Sequence, residues 1–384
     1  MPTAANIANG GRIVLICATV ALCLLVHSTS QANELSFRET CHQGKRTLIA
    51  AVGDLIFQRP IQDQIDKGAR NYRCLWQRLE PVFASADVVY GNLEGPVSKR
   101  AGNSKAGVLG REGYPLAFSY APSLLDNLAG SGFDVVSTAN NHALDLGSTG
   151  VDSTIEELKA RGLAFTGTRK SDDALSPWSA ITTDGGMRIA WLACTYGTNG
   201  RPDRKAQVLH CDKQRAEVVS EIRSLAEDAT VDAVVLAPHW GVEDTSVVEP
   251  GQESLARQAI SNGATVVLGA HPHVLQRWEK FPLPSGGEGL VIFSLGNFVS
   301  AQPLIEQRTG AVALIELVKP KGAMKASVAN AYYIVTHIAP APSFAVAESS
   351  DLSTPKSLPK GKRKNIEEAI AFNKTGCLAR SNTP

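Results

Sequence analysis

Short runs of apolar residues, rich in valine and isoleucine, recur between residues 46 and 300 of the 384-residue chain. Each run is four to seven residues long and lacks the apolar–polar alternation of a half-exposed strand, which is typical of strands covered on both faces. The runs occupy residues 47–52, 87–90, 134–138, 189–194, 233–238, 264–270 and 290–295. We therefore predict a buried strand at each of these positions.

Segments with helical periodicity separate several of these runs. The predicted helices span residues 123–130, 148–162 and 252–263. The latter two end at glycines, which suit the residue that follows a helix. Because strands and helices alternate, the sequence predicts the α/β class. Two further strand-like runs, 311–318 and 330–338, are expected to complete a sheet of the same domain.

The first 32 residues have the layout of a secretory signal peptide. Arg12 precedes an apolar run of 14 residues, 13–26, and Ser30-Gln31-Ala32 forms a small-x-small cleavage site. The run is shorter than the roughly 20 residues that cross a bilayer as a helix. We expect an exported protein, periplasmic or extracellular, which stays anchored in the membrane if the signal is not cleaved.

The remaining chain is predicted to form one domain, residues 33–340, followed by a partly disordered tail, residues 341–384. Hydrophobic residues make up 43% of the sequence and charged residues 20%, which indicates a folded globular protein. Loss of the signal removes only Arg12, so 37 basic residues then balance 37 acidic ones. A neutral chain gives no reason to expect a nucleic-acid partner.

Five cysteines remain after signal removal: Cys41, Cys74, Cys194, Cys211 and Cys377. Export permits disulfides. Cys194 and Cys211 flank one loop and form the first predicted pair, with Cys41 and Cys74 as the second. The fifth thiol then stays free or pairs between chains.

Polar residues follow the predicted strands at the points where the strands end. Four of the eight histidines occupy such positions. In open α/β sheets the ligand crevice lies beyond the carboxyl ends of the strands, so these residues should converge. The strand-end residues are Asp54, Asn92, Glu94, Asn141, His142, His239, His271, His273 and Asn297.

The stretch GAHPHV, residues 269–274, holds two of these histidines on either side of a proline. If the segment is extended, His271 and His273 point to the same side, and Pro272 restricts the backbone between them. Imidazoles, carboxylates and an asparagine carbonyl suit Zn²⁺, Mn²⁺ or Fe better than Ca²⁺ or Mg²⁺. We therefore predict a site for one or two divalent transition metals, with Glu94 able to bridge two ions.

The motifs GD, GNLE, ANNHALDLG, HWGVE, GAHPHV and SLGNF occur in this order over residues 53–298. This ordered set resembles the CapA (poly-γ-glutamate capsule synthesis) family, whose domain is similar in fold to the calcineurin-like metallophosphoesterases. The resemblance implies a four-layer α/β/β/α sandwich of the metallo-dependent phosphatase type, with a metal site at the strand ends.

The resemblance also implies roles for individual residues. Asp54 resembles the first metal-binding aspartate, Glu94 stands at the position of a bridging aspartate, and Asn141 resembles a metal-binding asparagine. His142 resembles the catalytic histidine of the Asn-His motif, a general acid for the leaving group. The remaining metal-binding histidine positions match His239, His271 and His273.

Two departures from the phosphoesterase pattern bear on the substrate. Asp54 is followed by Leu55 and Ile56 where those enzymes have Asp-x-His, and Glu94 is one methylene longer than aspartate. Both departures favour a single metal or a non-phosphate substrate.

Residues outside the matched positions are further candidates. Glu243 orients an imidazole, takes part in acid–base catalysis, or is an ordinary loop carboxylate. The segment 98–115, with Lys99 and Arg100, is either a mobile solvated loop or a clamp on an anionic substrate. Asn92 and Asn297 are candidate substrate-binding residues.

The leading expectation for function is a metal-dependent hydrolase or transferase that acts on γ-glutamyl amide bonds in capsule poly-γ-glutamate synthesis or export. The alternatives are a metal-dependent phosphoesterase and a non-catalytic, polymer-binding component of capsule assembly. The expected partners are an anionic polymer or peptide at the cell envelope and membrane proteins of capsule synthesis or export.

Overall fold

The computed structural model describes residues 35, 37, 44–68, 71–99, 116–349 and 356–368. The predicted signal peptide, Arg100, Cys41 and Cys377 lie outside these ranges. Within them, no helix combines the length and apolar character needed to cross a bilayer.

The described strands, in chain order, are β1 (Gly44–Leu55), β2 (Val88–Leu93), β3 (Val135–Ser137), β4 (Ala164–Thr166), β5 (Ala180–Asp184), β6 (Met187–Thr195), β7 (Ala233–His239), β8 (Val266–Leu268), β9 (Trp278–Pro282), β10 (Glu288–Ile292), β11 (Asn297–Val299), β12 (Thr309–Pro320), β13 (Ser327–Ile338) and β14 (Val346–Glu348). The α-helices are α1 (Arg59–Lys67), α2 (Glu80–Phe83), α3 (Ser123–Gly130), α4 (Gly147–Lys159), α5 (Arg215–Glu227) and α6 (Pro250–Ser261). Short 3-10 helices cover Tyr72–Leu75 and Gln77–Leu79.

The strands form two sheets. The larger has the order β14-β13-β12-β1-β2-β3-β4, with β11 beside the end of β1, and the smaller has the order β5-β6-β7-β8-β10-β9. Strands β1 to β4 are parallel in the first sheet, and β6, β7, β8 and β10 are parallel in the second. The carboxyl ends of neighbouring parallel strands lie at one edge of a sheet. The predicted site residues follow these strands in the chain and therefore lie at that edge.

Apolar side chains on both faces of each sheet build the layers. One core lies between the sheets, where Tyr90 stacks on Trp191 with ring centroids 5.4 Å apart. Helices α1 to α3 cover the outer face of the larger sheet around Trp76, while α5 and α6 cover the smaller sheet. Burial on both faces explains why the strands read as continuous apolar runs. The resulting α/β/β/α layers confirm the predicted fold class.

The large sheet continues beyond the predicted domain end at residue 340. Strand β14 pairs with the end of β13, and the backbone of Lys362 and Lys364 bonds to Tyr333 in the same strand. These segments are short and polar, so the hydrophobic pattern did not indicate strands there. The sequence also missed β4, β5, β9 and β11, together with helices α1, α2 and α5.

The structure confirms the disulfide between Cys194 and Cys211. Cys194 lies near the carboxyl end of β6, and the bond closes the chain over residues 195–210. The second predicted pair includes Cys41, which is outside the described residues.

The close approach of β1 to the chain at residue 296 depends on Gly53. The Asp54 N–H donates to the Gly296 carbonyl (3.1 Å), and a Cβ at position 53 would lie 1.9 Å from that oxygen. We expect Gly53→Ala to destabilise the protein by about 1–3 kcal/mol, because the backbone has to move apart. Denaturant unfolding measures the change. Gly251→Ala, with no heavy atom within 4 Å of its added Cβ, is the matched control and should not destabilise. Equal loss in both variants would contradict the expectation.

Candidate metal and catalytic site

The strand-end residues predicted from the sequence come together at the carboxyl edges of the two sheets. Asp54, Asn92 and Glu94 come from the larger sheet, while His239 comes from the smaller. The side chains of these four residues are buried. The same is true of Asn141, His142, His271, His273 and Asn297.

A first cluster consists of Asp54, Glu94 and His239. One ligand atom from each lies within 4.8 Å of the others, and all three residues are buried. His239 Nε2 is 3.8 Å from Glu94 Oε1 and 3.0 Å from Asn141 Oδ1. The cluster therefore offers carboxylate, imidazole and amide oxygen donors at one point.

A second cluster consists of Glu243, His271 and His273, again with ligand atoms within 4.8 Å of one another. His273 Nε2 is 4.0 Å from Glu243 Oε1, and the Glu243 side chain is 51% exposed. His273 Nδ1 lies 3.1 Å from Asp54 Oδ2. Asp54 thus joins the two clusters, and Glu243 stands at the solvent-facing side.

The two histidines of GAHPHV converge, but the backbone reason predicted for it was wrong. The segment is a bend, not an extended strand, and φ is +98° at His271 and +59° at His273. Such angles are uncommon in residues with a side chain and are costly unless the surroundings impose them. The Asp54 carboxylate helps impose this bend, because its Oδ2 accepts the His271 N–H at 3.2 Å.

The residues fit a metal ion. Both carboxylate oxygens of Glu94 and Nδ1 of His271 are buried without a hydrogen-bond partner. Buried polar atoms of this kind are unfavourable unless something pairs with them. A mixed oxygen and nitrogen set is the donor chemistry that transition metals accept.

Burial and mutual charge interactions shift the pKa values of the carboxylate and imidazole groups of the site. Burial and the charge of Asp54 raise the pKa of Glu94 well above its usual value. Burial and nearby imidazoles lower the pKa of His239 far below normal and that of His271 to about 3. Burial disfavours a charge on His273 too, but Glu94 and Asp54 outweigh it and raise its pKa to about 10. Without a metal, protonated His273 provides the positive charge beside the Glu94 and Asp54 carboxylates. A bound divalent cation would provide that charge instead.

Asn92, predicted to bind substrate, lies among the first-cluster residues. Its Nδ2 donates to Asp54 Oδ1 (2.7 Å) and lies 3.2 Å from His239 Nδ1. The Ser137 hydroxyl donates to Asn92 Oδ1 (2.7 Å), and the Tyr90 hydroxyl donates to Ser137 (3.0 Å). This chain of hydrogen bonds fixes the orientation of Asn92, and through it that of Asp54 and His239.

The other predicted substrate-binding residues lie in different surroundings. Asn297 Oδ1 is 3.1 Å from His273 Nδ1, and Asn297 Nδ2 donates to Gln302 and to the Gln307 carbonyl. The Lys99 ammonium is 3.2 Å from Glu157 Oε1 on helix α4. Asn297 is thus part of the site, whereas Lys99 pairs with the helix. Arg100 is outside the described residues.

His142 forms a dyad with Asp145. His142 Nδ1 lies 2.7 Å from Asp145 Oδ2, and Asp145 Oδ1 accepts a hydrogen bond from Arg201 Nε at 3.0 Å. His142 Nε2 faces the first cluster, 4.0 Å from Glu94 Oε1. A carboxylate on Nδ1 holds the proton there, so Nε2 is left to exchange a proton with a substrate.

The sequence prediction missed four residues that contact this site: Asp145, Tyr196, Asn199 and Arg201. Asp145 lies inside the ANNHALDLG motif, three residues after His142, the spacing of a side-chain contact within one turn. Tyr196 and Asn199 lie in TYGTNG, residues 195–200 at the end of β6, so the strand-end rule applied there would have found them. Arg201 lies just beyond this stretch. Threonine, glycine and asparagine in this stretch also suit an ordinary turn, so the functional pattern could not be distinguished from a turn.

The family model described as "Bacterial capsule synthesis protein PGA_cap" matches residues 48–302. The chain is 26% identical over 300 residues to "Capsule biosynthesis protein CapA" of Bacillus anthracis, covering 77% of this chain and 69% of that protein. It is 31% identical over 274 residues to "PGA biosynthesis protein CapA" of Bacillus subtilis, covering 70% and 67%. Among solved structures, the sulfate thiohydrolase SoxB of Thermus thermophilus in complex with glycerol aligns with 13% identity and a TM-score of 0.39, over 87% of this chain and 61% of that one.

Removal of a shared ligand should weaken metal binding. Loss of even an outer-sphere partner costs about 10–100-fold in metal affinity, so Asp54→Asn and His271→Ala should lose at least that much. Elemental analysis after loading with Mn²⁺ or Zn²⁺ and dialysis gives the metal content. His210→Ala is the control, because His210 is also a buried histidine but belongs to neither cluster. Unchanged metal content in Asp54→Asn would contradict the assignment.

Proposed function

This chain belongs to the bacterial capsule synthesis protein family, and from that premise we propose that it is an exported, metal-dependent hydrolase or transferase acting on γ-glutamyl amide bonds. The substrate class is poly-γ-glutamate or a related anionic polymer or peptide of the cell envelope. One observation carries the catalytic part: the His142–Asp145 dyad faces Glu94, whose two buried oxygens have no hydrogen-bond partner.

Asp54, Glu94, His239 and Asn141 would hold one ion, and His271, His273 and Glu243 could hold a second with Asp54 shared between them. A divalent transition metal bound there polarises a carbonyl and lowers the pKa of water. Asn92 keeps Asp54 and His239 in place, and Asn297 does the same for His273.

Amide cleavage needs a proton at the leaving nitrogen. The C–N bond breaks, the acyl carbon gains the oxygen of water or of an acceptor, and the nitrogen gains a proton. His142 Nε2 is the atom placed to deliver that proton, because Nδ1 is held by Asp145. Asp145 stabilises the charged imidazole, and Arg201 keeps the carboxylate in its orientation.

The two residues after Asp54 favour cleavage of an amide over cleavage of a phosphoester. Leu55 and Ile56 are buried in the apolar core beneath helix α1. The chain just after Asp54 therefore contributes no imidazole to the site. The relatives' names concern capsule and PGA biosynthesis, which supports a polymer substrate. Membrane proteins of capsule synthesis or export are the partners that we propose for such a role.

A substrate panel tests the proposal. Mature protein loaded with Mn²⁺ or Zn²⁺ is incubated with γ-linked glutamate oligomers and, separately, with an aryl phosphate. We expect new amino groups from the oligomers and little phosphate release. Phosphate release without amide cleavage would favour the phosphoesterase. Binding of the oligomer without any turnover would identify a polymer-binding component instead of an enzyme.

The dyad gives a second expectation. His142→Ala and Asp145→Asn should each lower kcat on the oligomers by about 100-fold or more, since general acid–base groups contribute this much. The double variant should lose little beyond either single one, because the two residues act as a unit. Metal content should stay at the wild-type level. Asp126→Asn, an exposed carboxylate that also pairs with an arginine, is the control. Full activity in Asp145→Asn would rule out the dyad.

A further inference from the structure

The loop of residues 195–210 has a constrained shape. The Cys194–Cys211 disulfide joins its two ends, and the Thr195 backbone bonds to both Leu209 and Cys211. At its tip the Thr198 hydroxyl donates to the Arg201 carbonyl (2.6 Å), with Asn199 and Gly200 both at left-handed φ angles of +50° and +72°. A loop fixed at its ends and at its tip can present side chains at defined positions.

Three side chains of this loop contact the site. The Tyr196 ring lies 4.5 Å from the His271 ring, centroid to centroid. Asn199 Nδ2 is 3.5 Å from His142 Nε2, and Asn199 Oδ1 accepts a hydrogen bond from Asn141 at 3.3 Å. Arg201 contacts Asp145. The loop therefore forms the wall of the site beside the proton-transferring nitrogen of His142.

Arg201 has unused hydrogen-bonding capacity. Only Nε is engaged, on Asp145, and the side chain is 30% exposed. Across the described ranges, its two terminal nitrogens have no partner, and no other lysine or arginine contacts a side chain of the clusters or the dyad. A planar guanidinium matches the geometry of a carboxylate and pairs with it through two parallel hydrogen bonds.

We propose that Arg201 is a specificity-determining residue that binds the α-carboxylate of the γ-glutamyl unit on the leaving side of the scissile amide. The inference rests on the proposed function, because it uses His142 as the proton donor to the leaving nitrogen. In a γ-linked chain, the carbon next to that nitrogen carries the carboxylate. A nitrogen held near His142 Nε2 thus brings its carboxylate against the wall formed by the 195–210 loop.

The test compares two oligomers of equal length: γ-linked glutamate, and 4-aminobutyrate, which has the same backbone without the carboxylates. Calorimetry on the metal-loaded full protein gives Kd for each, independently of turnover, and kcat and KM are measured where cleavage occurs. The variants are Arg201→Gln, Arg201→Lys and Arg204→Gln. Arg204 is exposed on the same loop and controls for a general effect of charge.

Wild type should bind the glutamate oligomer more tightly, and Arg201→Gln should raise Kd for it by about 10- to 100-fold while leaving Kd for the 4-aminobutyrate oligomer unchanged. A loss of kcat that acts through Asp145 should be equal on both oligomers. Arg201→Lys, which keeps the charge without the planar fork, should lie between the two. Arg204→Gln should match wild type. Unfolding temperature and metal content are measured for every variant to show that each is folded and loaded.

Two results would overturn the inference: a wild type without preference, or an Arg201→Gln variant in which kcat falls equally on both oligomers while the preference survives. The second result would make Arg201 only a positioning residue for Asp145. A third outcome is that no amide is cleaved but the preference in Kd is present and depends on Arg201. That outcome would reject the proposed reaction and support Arg201 as a carboxylate-binding residue.

Discussion

The carboxylate of Asp54 is the contact on which the site depends, because it joins the two sheets where both end. Its Oδ1 accepts from Asn92 in the larger sheet, and its Oδ2 meets the His271 N–H and the His273 ring from the loop after β8. A buried carboxylate is tolerable only with several such partners. Strand β1 must therefore deliver Asp54 to the edge of its sheet, and the glycine before it lets the neighbouring backbone come close.

The site concentrates features that a purely structural cluster would avoid. His271 and His273 have positive φ angles, and their pKa values are shifted in opposite directions. In the same site, both carboxylate oxygens of Glu94 are buried without a hydrogen-bond partner. Each is unfavourable for folding, and the surrounding apolar layers must offset their combined cost. Strongly shifted pKa values that gather in one cleft are characteristic of functional sites. The cores on both faces of each sheet supply the rigidity that holds these groups together.

Much of the fold and the first contacts of the site could be predicted because they leave strong local signals. Buried parallel strands are apolar throughout, and helix α3 was predicted at its observed ends. The convergence of the polar residues at the strand ends could be predicted from the expected topology of the sheets alone. Strands β4 (AFT) and β11 (NFV) could not be found, because they lack the valine- and isoleucine-rich runs that revealed the equally short β3 and β8.

The missed parts of the site have a similar explanation. Arg201 takes its role from a contact with Asp145, which lies in a loop distant in the chain, and no local pattern encodes that contact. The extended-strand prediction for residues 271–273 was wrong because the His271 N–H bonds to the distant Asp54 carboxylate, a tertiary contact that helps to hold the bend. The ammonium of Lys99 pairs with Glu157 on helix α4, and its role as a substrate clamp stays a prediction.

The chain after residue 340 completes one edge of the large sheet. Strand β13 is twelve residues long, and β12 occupies only one side of it. On the other side, β14 pairs with its end and the Lys362–Lys364 backbone pairs at Tyr333. Exposed strand edges recruit other chains, and lysines along an edge discourage that pairing. The basic segment therefore covers part of the β13 edge and places lysines along it, which disfavours the pairing of a further strand there.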